Sequence, residues 1–449
     1  MWRDSIKDEG WLFYAAFKWL ILACLTGALA GGLVGAFLLL IYKSCAFIDA
    51  LPAWKYALIP AGLLLSMGCV RFLSPQSEGH GTEKVLEDIH LHSAKIPFNV
   101  VPGKILSTLF TLAPGGVVGL EGPSVQIGAA LMSALARSMR FFAEERKKLV
   151  ICGVSAALSA VFGAPVAGAV FGIEVLFVGE VFYSVLLPSV LSGISAYLVC
   201  LKMGVPYADF AVNIPMPSPN LLGWCIAASL FFALVCICHI ELNNYVRRIY
   251  QKIRIPAWAK CMISSAVLLS VVAAGGEEFL GMGEKSMVRI LNGENVVWYA
   301  FLLKSFLLAV TLCGGGSGGV LTPTFFIGAA AGALFAQTFG LDIAFFGALG
   351  FVGCVAGCVN TPIAATFLAM ELFGSNIAPY AGCVCAFCYV LSGHRSLYPT
   401  QILLAPKASL FTLAEPENKE SWKTKRKKHV LPFVPRHKKN LKKEKTENV

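Results

Sequence analysis

The chain has 449 residues, of which 57% are hydrophobic and only 14% charged, with a mean hydropathy of +0.70. This balance excludes a soluble enzyme or a water-exposed binding module and identifies a polytopic membrane protein. The formal charge of +11 is concentrated at one end, because Ser421 to Val449 carries eleven Lys/Arg against two Glu and leaves the rest close to neutral.

In chain order, residues 1–10 (MWRDSIKDEG) are charged and read as a cytoplasmic N-terminus. The apolar run that follows, Trp11–Tyr42, is too long for the core of a signal peptide, so a retained first helix is expected. Gly27, Gly31 and Gly35 form a four-residue small-residue seam on it, suited to close helix contact. Val181–Leu201, Leu221–Ile240, Val297–Leu312 and Ala344–Leu372 are also long enough to cross a hydrocarbon core of about 30 Å. A single membrane domain over 11–413 is the simplest organisation. Glu87, Asp88 and the run Glu144, Glu145, Arg146, Lys147, Lys148 read as solvated charges between membrane segments.

The fifteen cysteines are scattered, and the one CxxC, Cys385 to Cys388, sits in an apolar run without a second pair. They read as small core residues; no metal site and no cofactor is expected. The segment 414–449 reads as a disordered basic tail, cytoplasmic by the positive-inside rule and attracted to anionic lipid. Nucleic-acid binding, the competing reading of KTKRKKH, finds no folded motif to support it.

The strongest organisational signal is an internal repeat. GLEGPSVQIGAA from Gly119 aligns without gaps with GVLTPTFFIGAA from Gly319 at six of twelve positions. Further along, FGAPVAGAVFGIEVL from Phe162 matches VNTPIAATFLAMELF from Val359 through Pro165 with Pro362, Ala167 with Ala364 and Glu174 with Glu371. Two correspondences in one order indicate duplicated transporter halves, a first repeat over about 50–215 and a second over about 220–400, with the substrate site where interrupted helices meet. Sequence similarity leaves open whether the halves are inverted. The recurrence of Glu174 and Glu371 points to a structural task such as bonding a loop amide.

In each half a glycine-rich loop leads to proline and a helical pattern, the signature of a helix that starts inside the membrane. Such an N-terminus carries about half a positive charge and free N–H donors, and it attracts anions. This rationalises Glu121, a carboxylate between glycines in apolar surroundings. Burying an acid there costs about 2.5–3.5 kcal/mol, whereas a helix end returns at most about 2 kcal/mol. A wet cavity or partial protonation has to supply the remainder, and a carboxylate so poorly compensated can swing away or protonate, as a gate must. The expected anion site is built from amide dipoles with no fixed cation.

These residues resemble the CLC chloride channels and transporters over nearly the whole chain. GLEGP resembles the family's G[K/R]EGP motif, making Glu121 the gating glutamate, with Gly119, Gly122 and Pro123 matching. GGVLTP resembles GxFxP, with Val320 offering its amide and Leu321 standing where phenylalanine is usual. GHGTE resembles GSGxP in Gly79 and Gly81 only, with His80 where serine is common and Glu83 where proline is. Tyr398, in SLYPTQ, matches the tyrosine that contacts the inner chloride. The resemblance implies an all-α fold of two inverted repeats with tilted, partly broken transmembrane helices. It further implies a homodimer with one anion pathway per subunit, and a multi-pass protein of a bacterial inner membrane without CBS domains.

Three departures bear on mechanism. Leu120 replaces a basic residue before the gate. His80 places an imidazole, titratable near neutral pH, at the anion-contacting position and leaves the choice of anion open. Val175 occupies the place, directly after Glu174, where exchangers carry a proton-transferring glutamate. The expected function is therefore channel-like, passive chloride conduction gated by Glu121, with chloride/proton exchange as the alternative. The ordinary readings of the same residues are a loop-exposed helix-start acid for Glu121, an interfacial aromatic for Tyr398 and a loop histidine for His80. An intramembrane serine protease is a remote reading of GGSG around Ser317, which would need a histidine such as His394 within reach; the repeat instead makes Ser317 part of the loop before the second anion-binding helix, and no enzymatic activity is expected.

Overall fold

The computed structural model describes residues 2–403 apart from 180, 181, 209 and 211, together with Lys407 and the two-residue strands 411–412 and 434–435; side chains are described from Phe17 onward. The expectations for the basic tail fall almost wholly outside the described residues.

Sixteen α-helices make up the described fold. The first eight are α1 (Trp2–Asp49), α2 (Ile59–Phe72), α3 (Thr82–Leu91), α4 (Val100–Leu112), α5 (Glu121–Ser138), α6 (Ala143–Phe162), α7 (Pro165–Glu174) and α8 (Leu186–Met203). The second eight are α9 (Pro219–Lys252), α10 (Ala257–Ala273), α11 (Glu284–Leu291), α12 (Ala300–Cys313), α13 (Leu321–Phe339), α14 (Ile343–Val359), α15 (Pro362–Phe373) and α16 (Ala378–Leu391). Two short strands, β1 (Phe177–Val178) and β2 (Ile402–Leu403), pair in parallel and tie the chain after α16 to the end of α7.

The packing has the same plan twice. α5 lies on α6 as α13 lies on α14, α1 lies on α8 as α9 lies on α16, and α7 meets α15 across the middle. The glycine seam explains the first of the outer pairs. A Cβ on Gly27, Gly31 or Gly35 would run into Ser192, Ala196 or Cys200 of α8, so only glycine lets these helices touch.

Four helical stretches are long and apolar enough to cross a membrane: Phe17–Asp49, Ala53–Phe72, Tyr183–Met203 and Pro219–Lys252. Two expected spans take a different form. Ala344–Leu372 is not one helix, because Asn360 adopts a left-handed conformation (φ 62°) and Pro362 then starts α15. The same break separates α6 from α7 at Gly163 (φ 65°) and Pro165. Proline lacks an N–H and fixes φ, so it suits a helix start and ends the one before. Val297–Leu312 is observed as the 14-residue α12, which at 1.5 Å per residue reaches only about 21 Å. Helices this short end inside the protein and deliver their termini to its interior.

The fifteen cysteines are free thiols. Arg146 departs from its expected role as a solvated charge. It is buried, and its Nε donates to the Ser93 carbonyl at 2.8 Å, closing the short connection after α3.

Candidate functional site

The loops before α5 and α13 meet at the centre of the molecule and exchange hydrogen bonds. Gly119 N donates to Gly319 O and Gly319 N to Gly119 O, both at 2.7 Å. Val117 N donates to Thr311 Oγ1 at 3.2 Å, and Ser317 N to Thr111 Oγ1 at 2.9 Å. Reciprocal pairs two hundred residues apart are the mark of a pseudo-two-fold axis. Farther along, the Glu174 carboxylate accepts from Ile363 N and Ala364 N (3.0 and 2.7 Å), while Glu371 accepts from Val166 N and Ala167 N (3.0 and 2.8 Å). Each acid caps the N-terminus of the opposite half's broken helix, the structural task expected of it.

Neither α5 nor α13 is capped by the side chain of its own N-cap residue, Leu120 or Val320. Their first-turn amides are therefore open to another partner. Pro123 and Pro323 sit in those first turns, where a missing N–H costs nothing.

The two ends differ in occupancy. Glu121, buried, reaches across the axis: its Oε2 accepts from Thr322 N at 3.1 Å and its Oε1 from the Thr322 hydroxyl in a short hydrogen bond. The gate candidate thus caps α13, the helix of the other repeat. Leu321, its counterpart, is buried and apolar.

The Gly79–Gly81 loop closes the site from a third direction. Both glycines have positive φ (75° and 83°). The His80 carbonyl rests on the Cα of Gly122, where any Cβ would collide with it. A Cβ on Gly81 would meet Gly122 O at 2.6 Å. His80 itself stands beside Tyr398, ring centroids 5.5 Å apart, and its Nε2 lies 3.1 Å from Glu83 Oε2, while Nδ1 is buried with no hydrogen-bond partner among the described residues. Tyr398 is fully buried. Gly79, His80, Gly81, Gly119, Leu120, Glu121, Gly122, Pro123, Val320, Leu321 and Tyr398 are thereby gathered at or around one junction. Val175 is buried just beyond α7.

Three features escaped the sequence reading. The first is a pair of buried lysines. Lys104 is fully buried, and its ammonium donates to Gly79 O (2.6 Å), Ser77 O (3.0 Å) and Ser317 Oγ (2.9 Å). Lys304 repeats it, donating to Gly281 O (2.8 Å) and Phe279 O (3.0 Å) beneath a second Gly-x-Gly loop, Gly281–Gly283. The signal was present: the two lysines share the two-hundred-residue period of the repeat. The second is Gln401, whose Nε2 donates to Val175 O and Val359 O, both at 3.0 Å, and which pins the Tyr398 segment across the axis. The third is Thr322 as the anchor of Glu121. Ser317, the protease candidate, also accepts from Ser107 (3.0 Å) and donates to Ser77 O (3.1 Å), bonds that commit it to supporting the loop.

Comparison with known proteins gives a consistent picture. The sequence model of the family described as voltage gated chloride channel matches residues 61–393. A chloride/fluoride channel protein of Pseudomonas syringae pv. tomato is 33% identical over 395 residues, covering 86% of both chains. The voltage-gated ClC-type chloride channel ClcB of Escherichia coli is 27% identical over 430 residues, covering 86% of this chain and 98% of that one. Among solved structures, a CLC-type fluoride/proton antiporter superposes with a TM-score of 0.82 at 24% identity, over 87% of this chain and 99% of that one. A slow cyanobacterial Cl-/H+ antiporter gives 0.70 at 20% identity, over 83% and 94%. At these identities the structural likeness establishes the fold: two inverted repeats of tilted, partly broken helices.

Proposed function

Because the chain belongs to the voltage-gated chloride channel family, we propose that it conducts chloride passively across a membrane along a pathway through the junction of α5, α13 and the Gly79–Gly81 loop. The observation that carries this reading is the reciprocal Gly119–Gly319 bridge with Glu121 capping the opposite helix. Two helix N-termini face one point, one holding a carboxylate and one open. A small anion competes for the same amides, and the carboxylate yields when protonated or displaced. Lys104 adds a buried amine that donates to two loop carbonyls and a hydroxyl and holds the Gly79–Gly81 loop in place.

Buried Val175 supports passive conduction over coupled exchange, since no acid follows Glu174 to carry a proton. Chloride/proton exchange is kept as a second reading because the His80–Glu83 pair offers another proton-binding group beside the pathway. The relative named a chloride/fluoride channel brings fluoride into the substrate class to be assayed. Exposed apolar residues on α8 (Leu187, Leu198, Leu201) and α16 (Phe387, Val390, Leu391) suit lipid or a second copy, and a homodimer in a bacterial inner membrane is the inferred working form.

The test is anion flux from liposomes holding the purified full-length protein at saturating chloride. Flux should rise as pH falls, because protonation neutralises Glu121 and frees α13, and Glu121→Gln should flatten that response. An unchanged response rejects the gate. Under a pH gradient, a reversal potential fixed at the chloride equilibrium value supports conduction, whereas a shift with the gradient establishes exchange.

A further inference from the structure

The imidazole of His80 has one nitrogen committed and one idle. Its Nε2 lies 3.1 Å from Glu83 Oε2, three residues on at the start of α3, and Glu83 retains 20% exposure of its side chain. Its Nδ1 is buried beside Tyr398 without a hydrogen-bond partner among the described residues. An acceptor-only carboxylate facing Nε2 fixes the proton there in the neutral ring, which leaves a bare lone pair on Nδ1. A lone pair repels an anion. Adding one proton turns Nδ1 into an N–H donor and the ring into a cation, so the same atom changes from rejecting an anion to binding it.

The surroundings favour that exchange of roles. Glu83 holds the imidazolium, and is itself faced by Arg247 of α9 and by its neighbour Lys84. Tyr398 lies within electrostatic reach of Glu121 and Glu83. The Lys104 ammonium opposes the imidazolium from α4, but it is directed at the loop carbonyls of Ser77 and Gly79. The dyad therefore has a partly wet end through which a proton can enter and a dry end at the junction where the loop meets Gly122.

We propose that His80 and Glu83 form a proton-binding dyad that links anion affinity to pH: a proton taken up by the dyad places an N–H at His80 Nδ1, and that donor binds the anion held by the Gly79–Gly81 loop. The inference rests on the reading of this loop as part of the anion pathway, and it gives His80 a task separate from the gate. One proton is taken up per anion bound, and no other group need change. Glu83 acts as a positioning residue that selects the tautomer and stabilises the charged ring.

The separating experiment uses purified full-length Glu121→Gln protein, in which the gate no longer titrates. Chloride binding is measured by isothermal titration calorimetry between pH 5 and 8. With one proton linked to each anion, the Kd should rise by up to about tenfold per pH unit towards alkaline pH. Adding His80→Gln should flatten this slope. Adding Glu83→Gln, a change at a partly exposed side chain, should weaken the pH dependence of binding, because the carboxylate that selects the tautomer is gone. Proton uptake, read from the dependence of the binding heat on buffer ionisation, should approach one per chloride and vanish with His80→Gln. Slopes equal in all three proteins, with chloride still bound, overturn the dyad and leave the pathway standing. Absence of chloride binding at every pH in all three overturns both.

Discussion

The two halves of the molecule share a scaffold and differ in the side chains at the central junction. Lys104 and Lys304 grip equivalent loops, Glu174 and Glu371 cap each other's broken helices, and Gly119 and Gly319 exchange bonds. At the junction itself the symmetry is abandoned. Glu121 stands opposite Leu321, His80 opposite Met282, and Gly122 opposite Thr322. Residues that obey the pseudo-two-fold hold the fold together, and residues that break it are those to which the proposed function assigns the gate. The duplicated scaffold supplies two helix ends, and the Glu121 carboxylate caps only one of them, α13.

Breaking this division at its tightest point should have the largest effect. Gly122 lies under the His80 carbonyl and 3.1 Å, measured from a would-be Cβ, from the Cα of Gly319. Gly122→Ala should abolish recovery of monodisperse protein on size exclusion, although its counterpart Thr322 carries a larger side chain without harm. Ordinary yield and normal flux from Gly122→Ala would show the three loops to be looser than described.

Next in size, Lys304→Met should destabilise by about 3 kcal/mol, because it leaves the buried Phe279 and Gly281 carbonyls without a donor, and Lys104→Met by less, because Ser317 Oγ and Gly318 N still donate to the Ser77 and Gly79 carbonyls. Thermal unfolding in detergent measures this. Their effects on anion binding should diverge: Lys104→Met weakens chloride binding by about tenfold, about 1.4 kcal/mol, and Lys304→Met leaves it near wild type. Equal losses of affinity would mean that the second loop also holds an anion.

The smallest effect belongs to Thr322→Val, which removes the hydroxyl but keeps the backbone N–H that Glu121 uses. A hydrogen bond to a charged group contributes about 1.5–3 kcal/mol. Loss of part of it should raise flux at neutral pH by about tenfold while acid flux stays the same. A variant that closes as well as wild type would place the hold on Glu121 in the α13 amide alone.

Much of this was legible in the sequence because it is local or periodic. Composition gives the membrane class, glycine and proline mark helix starts, and the GLEGP and GVLTP segments lie one repeat apart, so their meeting could be expected. Val297–Leu312 and Ala344–Leu372 misled because hydropathy counts apolar residues and is blind to a left-handed Asn360 before Thr361 and Pro362. Apolarity also hid the lysines, since a buried cation in an apolar run is visible only through the carbonyls that surround it.

By itself the sequence determined that the chain enters a membrane, that it is duplicated, and that an acid stands at an interrupted helix. Tertiary structure alone decided that Glu121 caps the helix of the opposite half through Thr322, that Lys104 and Lys304 hold the two loops, and that Gln401 fixes Tyr398. The physical reason is the same in each case. Such partners are paired across separations of up to 226 residues, and which donor meets which acceptor depends on the register in which the two halves dock, a property that no local pattern of residues encodes.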